Sequence, residues 1–457
     1  MAHQQVSPAR GAAYVVLLRA ASSKTHTDLS LAAAPELSAL EERDGALALE
    51  LVSGTLRRRN SIDAVLRSCS KPALRSVAPA VLTALRLGAY QLLYLDRVPA
   101  HAAVDQSVTL VARRGRGTRG YVNAVLRTVA ATGRTLLEAA GAGEDPASLA
   151  VRWSHPEWLV RLWIDELGHE AASALLRANN TPPERCLRVN TLVGQAEAAV
   201  ARLALEGVHT TAAEDFSLAL AVQSGPSVER TAAFREGLVT PQSRGSQLAG
   251  MVAAGAVRSG DAVADLCAAP GIKATQLAAA VPGARVLAVD EDARRVEELR
   301  ATARRLRAPQ VEALLADVLE LPASLNEAFA AVLLDAPCSG LGTLASRPDL
   351  RWRRSPNDVE RLAGLQRRLL RRAAALVRPD GVLTYSVCTI TRAETIAVLD
   401  DLLRGGGWRL DDLGAEHPRF VHPERGGALL TLPSSHGTSG FFVARVRRET
   451  QRPRGGS

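Results

Sequence analysis

AVADLCAAPGIKATQLAAAV occupies residues 262–281. A short apolar run ends in a proline–glycine turn, and a helical pattern follows at once. The run is short, rich in Val, Ala and Leu, and bounded by a turn signal, which predicts a buried strand. The same order recurs downstream. RVLAVD (285–290), VEALLAD (311–317), AVLLDAP (331–337) and GVLTYSVC (381–388) read as further strands. TQLAAAV (275–281) and ARRVEELRATARRL (293–306) read as helices between them. Such alternation predicts a mostly parallel, doubly wound, Rossmann-like sheet. Ligands of such sheets sit outside the carboxyl ends of the strands. FFVARVRR (441–448) is expected to close the sheet as an antiparallel edge strand.

Each predicted strand ends on polar residues. After DLCAAPGIKAT (265–275) a helix begins, and its first N–H groups lack intrahelical partners. Such a turn can hold a ligand carboxylate or phosphate. It is neither a dinucleotide GxGxxG nor a Walker loop. Asp290 ends the second strand, where nucleoside-binding sheets place an acid for ribose hydroxyls. Asp317 and Asp335 end the third and fourth. One such acid is more often a local cap. Acids at successive strand ends point instead to a ligand with a nucleoside and a positive charge, such as S-adenosylmethionine. A pyrophosphate would be repelled there. Asp290 is assigned to the ribose, Asp317 to the adenine amino group and the 265–273 turn to the methionine part.

The five cysteines (69, 186, 267, 338, 388) are scattered, and no pair has the spacing of a metal site or redox dithiol. No metal is expected. Reduced thiols and a cytoplasmic setting are the default. Cys69, Cys186 and in part Cys267 read as small core residues. Cys338 and Cys388 each follow a strand and precede a hydroxyl residue, so their loops should open at one edge. Two thiols beside a methyl donor suggest methylation of pyrimidine carbon 5. A thiolate adding to carbon 6 makes carbon 5 nucleophilic. The second thiol then assists proton loss or release of the adduct, and Asp335 is placed to stabilise the base. The residues alone do not rank the two thiols. Thr391 and Glu394 have capping-box spacing, so the next helix is expected to start there, its positive end toward Cys388.

The rest of the chain is helical, then mixed. Residues 1–140 carry helical periodicity in ERDGALALELVSGTLRRR (42–59), SVAPAVLTALRLGAYQLLYL (76–95), HAAVDQSVTLVARRG (101–115) and RGYVNAVLRTVAA (119–131). The second reads as two helices meeting near Gly88, and glycines 115, 117 and 120 as joints. Residues 141–154 read as a linker, 155–255 as a small α+β subdomain, 256–450 as the Rossmann-like domain and 451–457 as a disordered tail. No apolar run has the roughly 18 residues of a membrane span. Net charge is +9, which favours an anionic partner such as RNA. There are only three lysines (24, 71, 273) among 56 basic residues, so Lys273 resists a strong arginine bias. Arg188, Asn190, Gln242, Arg351 and Trp352 are candidate RNA contacts. Packing and capping are the competing reading for Trp352 and Asn190.

DLCAAPGIKAT, DAPCSGLGT (335–343) and YSVCTI (385–390) together resemble the cofactor loop and two cysteine motifs of bacterial RNA 5-methylcytosine methyltransferases of the Sun type, which act on small-subunit ribosomal RNA. LRVNT (187–191) and FREGLVTPQSRGSQLA (234–249) resemble that family's pre-catalytic RNA-binding segments. ALALELVSGTLRRR, LRLGAYQLLYLDRVPAHAAVDQSV and GYVNAVLR are similar to the all-α RNA-binding fold of NusB. The resemblance implies S-adenosylmethionine bound by Cys267, Ala268, Ala269, Pro270, Gly271, Ile272, Lys273, Asp290, Asp317 and Asp335. It implies Cys388 as nucleophile and Cys338 as release cysteine. It implies a cytosine of 16S ribosomal RNA (the cytosine-967 type) as target, in free RNA or an early assembly intermediate, and a monomer. A non-catalytic antitermination-like RNA-binding factor, or the same enzyme acting on tRNA, are the rival readings. Three departures stand out: Ile272 for a second glycine, Ser243 for an aspartate after Gln242, and Ser439 for an aspartate before GFF.

Overall fold

The computed structural model describes residues 6–22, 34–213 and 215–449. The expected tail, 451–457, lies outside the described residues. The chain divides into two compact units, 1–181 with 344–353, and 182–343 with 354–457.

The first unit is helical. Its main helices are Pro8–Ser22, Glu42–Arg57, Arg59–Cys69, Pro79–Tyr94, Ala100–Leu110 and Arg116–Ala140. Leu51, Ile62, Leu66, Leu85, Leu87 and Leu126 form a shared core. Proline at the first turn starts Pro79–Tyr94 where a missing N–H costs nothing. That helix runs unbroken through Gly88, contrary to the expected joint. A β-carbon at Gly88 would come within 2.6 Å of both Leu126 and Ser107, so the glycine permits close packing. Gly54 does the same under the ring of Tyr90. Gly115 does turn the chain, at φ 94°, but Gly117 and Gly120 lie inside the last long helix. The expected linker is also corrected. Asp145 caps a helix, Pro146–Arg152, by accepting from Ala147 N and Ser148 N. Helices Glu157–Leu167 and His169–Ala178 then complete the unit.

Arg351 and Trp352 belong to this unit and do not face outward as RNA contacts. Arg351 is fully buried and donates to the carbonyls of Arg57, Ser154 and Asn179 and to Asn180 Oδ1. Trp352 packs on the helical core and donates to Leu56 O at 2.7 Å. The packing alternative for Trp352 therefore holds.

The second unit contains two sheets. The smaller joins β1 (Cys186–Val189), β2 (His209–Ala213), β3 (Phe216–Ser224) and β4 (Val239–Pro241) in the order β2-β3-β1-β4, all antiparallel. Leu187 and Val189 of β1 pack with Leu203 of helix Ala196–Leu205. Three expected RNA contacts lie in this region, and all three are buried. Arg188 donates to Gln242 Oε1 (2.7 Å) and Thr275 Oγ1 (3.2 Å). Gln242 donates to Gln276 Oε1 at 2.7 Å. Asn190 donates to the carbonyls of Gly237 and Leu306. Their polar atoms are satisfied inside the protein, so these side chains hold the subdomain rather than present themselves to RNA. Ser243 caps helix Arg244–Ala254 through Ser246 N, a task serine performs as well as aspartate.

The larger sheet comprises β5 (Ala262–Leu266), β6 (Arg285–Asp290), β7 (Val311–Leu315), β8 (Phe329–Asp335), β9 (Val377–Val387), β10 (Trp408–Leu410), β11 (Leu429–Thr431) and β12 (Phe441–Arg448). The order is β10-β12-β9-β8-β5-β6-β7, with β11 also on β12. Strands β5 to β9 pair in parallel and β12 runs antiparallel to β9. β12 is antiparallel as expected but is not the edge, since β10 lies outside it. The chain leaves β5 toward β6 and β7 on one side and later fills β8 and β9 on the other. The carboxyl ends of β5 and β8 thus flank a topological switch point.

Candidate active site

That switch point gathers the residues singled out in the sequence. Cys267 follows β5 at φ 59°, and Gly271 takes φ 93° before helix Ile272–Ala280. The peptide Ala269–Pro270 is cis. Gly271 supplies the left-handed residue that precedes the helix, and Ile272 begins the helix without a positive φ. Asp290, buried at the end of β6, accepts from Ala269 N (3.1 Å) and Asp292 N (3.2 Å), which ties the turn to its neighbouring strand. Ala268 N donates to Val289 O, and Arg295 donates to Ala269 O. Asp317, just beyond β7, accepts from Leu319 N at 2.8 Å.

The edge is strongly acidic. Burial first, then the charges of Asp290, Asp335 and Asp265, push the Cys267 thiol far up. Asp265, the first residue of the stretch assigned to the methionine part, lies inside β5 and is fully buried. Its carboxyl is raised well above the usual range, by burial first and then by Asp335, against the pull of Lys273. Lys273 Nζ donates to Asp335 Oδ2 at 2.7 Å and lies 5.3 Å from the Phe441 ring centre. Burial pulls the ammonium down, but the Asp335 charge and hydrogen bond, with Asp265, leave it net above the ordinary lysine value. Asp335 Oδ1 accepts from Ser386 Oγ at 3.1 Å. Each carboxylate oxygen has two lone pairs, so both keep accepting capacity.

The two thiols meet. Cys338 Sγ and Cys388 Sγ are 3.3 Å apart, both partly exposed and both reduced. The hydrogen bond with Cys388, then burial, raises the Cys338 thiol well above the ordinary value. Glycines close the loops around them. Gly342 N donates to Cys388 O (3.1 Å) and Gly440 N to Gly342 O (2.7 Å). A β-carbon at Gly342 would sit 2.1 Å from Gly440 O. One expectation fails here. The helix after Cys388 is Ile396–Arg404, and Thr391 does not cap it. Thr391 Oγ1 donates instead to Glu394 Oε2. Glu394 is a buried acceptor for several donors, so residues 391–395 turn rather than coil.

Comparison with known proteins adds the family. Residues 253–447 match the 16S rRNA methyltransferase RsmB/F family, 7–131 the NusB family, and 155–229 the ferredoxin-like domain of RsmF/B-like methyltransferases. A probable ribosomal RNA small subunit methyltransferase B of Bacillus subtilis is 33% identical over 448 residues, 96% of this chain and 98% of that protein. The chain belongs to the ribosomal RNA small subunit methyltransferase B family. A putative methyltransferase of Mycobacterium tuberculosis is 36% identical over 457 residues, covering 97% of each. The crystal structure of PH0851 shares the fold at a TM-score of 0.81 and 24% identity, over 98% of this chain and 99% of that one. This methyltransferase family member is therefore an RNA methyltransferase with S-adenosylmethionine as its cofactor. The acid-rich edge fits that cationic group. Among the described residues no helix is long and apolar enough to cross a membrane, and no cluster of residues could hold a metal ion.

Proposed function

We propose that the protein methylates carbon 5 of a cytosine in small-subunit ribosomal RNA through a covalent cysteine adduct. The observation that carries this reading is the 3.3 Å thiol pair beside the Lys273–Asp335 ion pair, on an edge lined with acids. When bound, S-adenosylmethionine supplies an electrophilic methyl group. The 267–273 turn, Asp290, Asp317 and Asp335 are the residues proposed to hold it. Cys388 Sγ adds to carbon 6 of the base and makes carbon 5 nucleophilic. Carbon 5 takes up the methyl group; its proton then passes to water, the C–H pair re-forms the carbon 5–carbon 6 double bond, and the carbon 6–sulfur bond breaks with its pair returning to Cys388 as thiolate. Cys338 Sγ lies 3.3 Å from Cys388 Sγ, so its S–H can hydrogen-bond that sulfur as it leaves with negative charge. Asp335 accepts a hydrogen bond from the amino group of the base. The base must be unpaired or flipped out to present carbon 6.

Cys388→Ala is expected to abolish methyl transfer to ribosomal RNA, and normal turnover would sink the mechanism. Cys338→Ala is expected to accumulate a covalent protein–RNA species, seen as a shifted band on a denaturing gel. Bisulfite mapping of ribosomal RNA from cells lacking the gene identifies the target, as the cytosine that loses its methyl group.

A further inference from the structure

Between the two cysteine loops lies a carboxylate that no proposed step uses. Glu394 is fully buried. Its Oε1 accepts from Ser339 N (2.7 Å) and Gln366 Nε2 (3.1 Å). Its Oε2 accepts from Ser339 Oγ, Thr389 Oγ1 (3.1 Å) and Thr391 Oγ1 (3.0 Å). Ser339 follows Cys338 and Thr389 follows Cys388, and their hydroxyls are themselves 2.9 Å apart. Tyr385 OH donates to Glu394 O (2.6 Å) and fixes the backbone of the same residue. The carboxylate thus holds the residue next to each thiol from one point. A buried charge is costly unless its lone pairs are filled, and five donors drawn from three stretches of chain fill them here. Side chains with one fewer acceptor oxygen cannot replace it.

We propose that Glu394 is a positioning residue that sets the spacing of Cys338 and Cys388. It touches neither thiol and acts through Ser339 and Thr389. The proposal rests on the reading of those cysteines as the reacting pair, but the spacing it predicts is measurable without any reaction. Phenylarsine oxide serves as the probe. Its arsenic forms one bond to each of two thiols, and the two thiol protons leave with the oxide oxygen as water. Tight binding requires two sulfurs at about the observed spacing, and the other three cysteines offer only single thiols.

The full-length protein is expected to bind one arsenical per chain, and loss of that binding in Cys338→Ala would locate it. Glu394→Gln is expected to weaken it about tenfold or more, since charge-assisted hydrogen bonds to both loops are lost. The same variant is expected to lower kcat for methyl transfer while leaving KM for RNA within about twofold. Ser339→Ala and Thr389→Ala cut the same link from the other side, and they carry the test if Glu394→Gln does not fold. Unchanged arsenical affinity in folded variants overturns the proposal, as does a wild-type protein that binds no arsenical at this pair. A protein that methylates no RNA, yet loses arsenical affinity in Glu394→Gln, overturns the proposed reaction and leaves the positioning role standing.

Discussion

Lys273, in the sheet unit, and Arg351, in the helical unit, both bury a positive charge. Lys273 does so against a carboxylate that is itself partly open, with Asp335 2.7 Å away and more than a quarter exposed. Arg351 does so against three carbonyls and an amide oxygen, with no acid. The charges respond in opposite directions. Lys273 is held above its ordinary value, while burial, then Arg57 and Arg58, depress Arg351 well below its own. A buried cation that retains an acid at an open edge is available to a ligand. One whose terminal nitrogens are enclosed by neutral dipoles is a strut, because those donors are already committed.

Substitution should separate the two roles. Lys273→Met is expected to cost about 100-fold or more in methyl transfer, the size seen when a preorganised charged group is removed. Lys273→Arg should not restore it, because a planar fork cannot occupy the place of a compact ammonium between Asp335 and Phe441. Single-turnover kinetics check both, and wild-type rates would break the comparison on its functional side. Arg351→Met is expected to lower stability by about 3 kcal/mol, since four acceptors lose their donor inside the helical unit. Urea unfolding of the full chain measures this, and a loss within the error of zero would break the structural side.

His155 sharpens the point with a smaller effect. It is a buried base with no acid, packed edge-on to Trp163, and burial, then Arg351, hold its pKa well below 6.5. The unfolded chain takes up a proton near 6.5 and the folded chain does not. Stability present above that pH is therefore lost as pH falls, by at most about 1.4 kcal/mol per pH unit. His155→Phe should flatten this part of the pH dependence between about pH 6.5 and 5, monitored by thermal melts.

The site was more legible than its surroundings. Asp290, Asp317, Asp335, Lys273 and both thiols stood in short motifs at strand ends, and short apolar runs bounded by turn signals locate strand ends well. Arg188, Asn190, Gln242 and Arg351 were misread as contacts because a polar residue in sequence carries no mark of burial. Their partners are distant in the chain: Asn190 reaches Leu306, and Arg351 reaches Arg57. Gly88 and Gly54 were hidden for the same reason, since what a glycine makes room for lies on another helix. Thr391 and Glu394 had genuine capping-box spacing, but Ser339, Gln366 and Thr389 compete for the same carboxylate and win.

By itself the sequence determined the strand–turn–helix order, the acids at the strand ends and the two cysteine loops, because these follow from local periodicity and turn chemistry. Only the tertiary structure decided that Cys338 and Cys388 stand 3.3 Å apart, that Glu394 joins their loops, and that Arg188 and Arg351 are struts. Those facts depend on which distant groups fill a buried donor or acceptor, and hydrogen-bond satisfaction in a low-dielectric interior is settled by the whole fold.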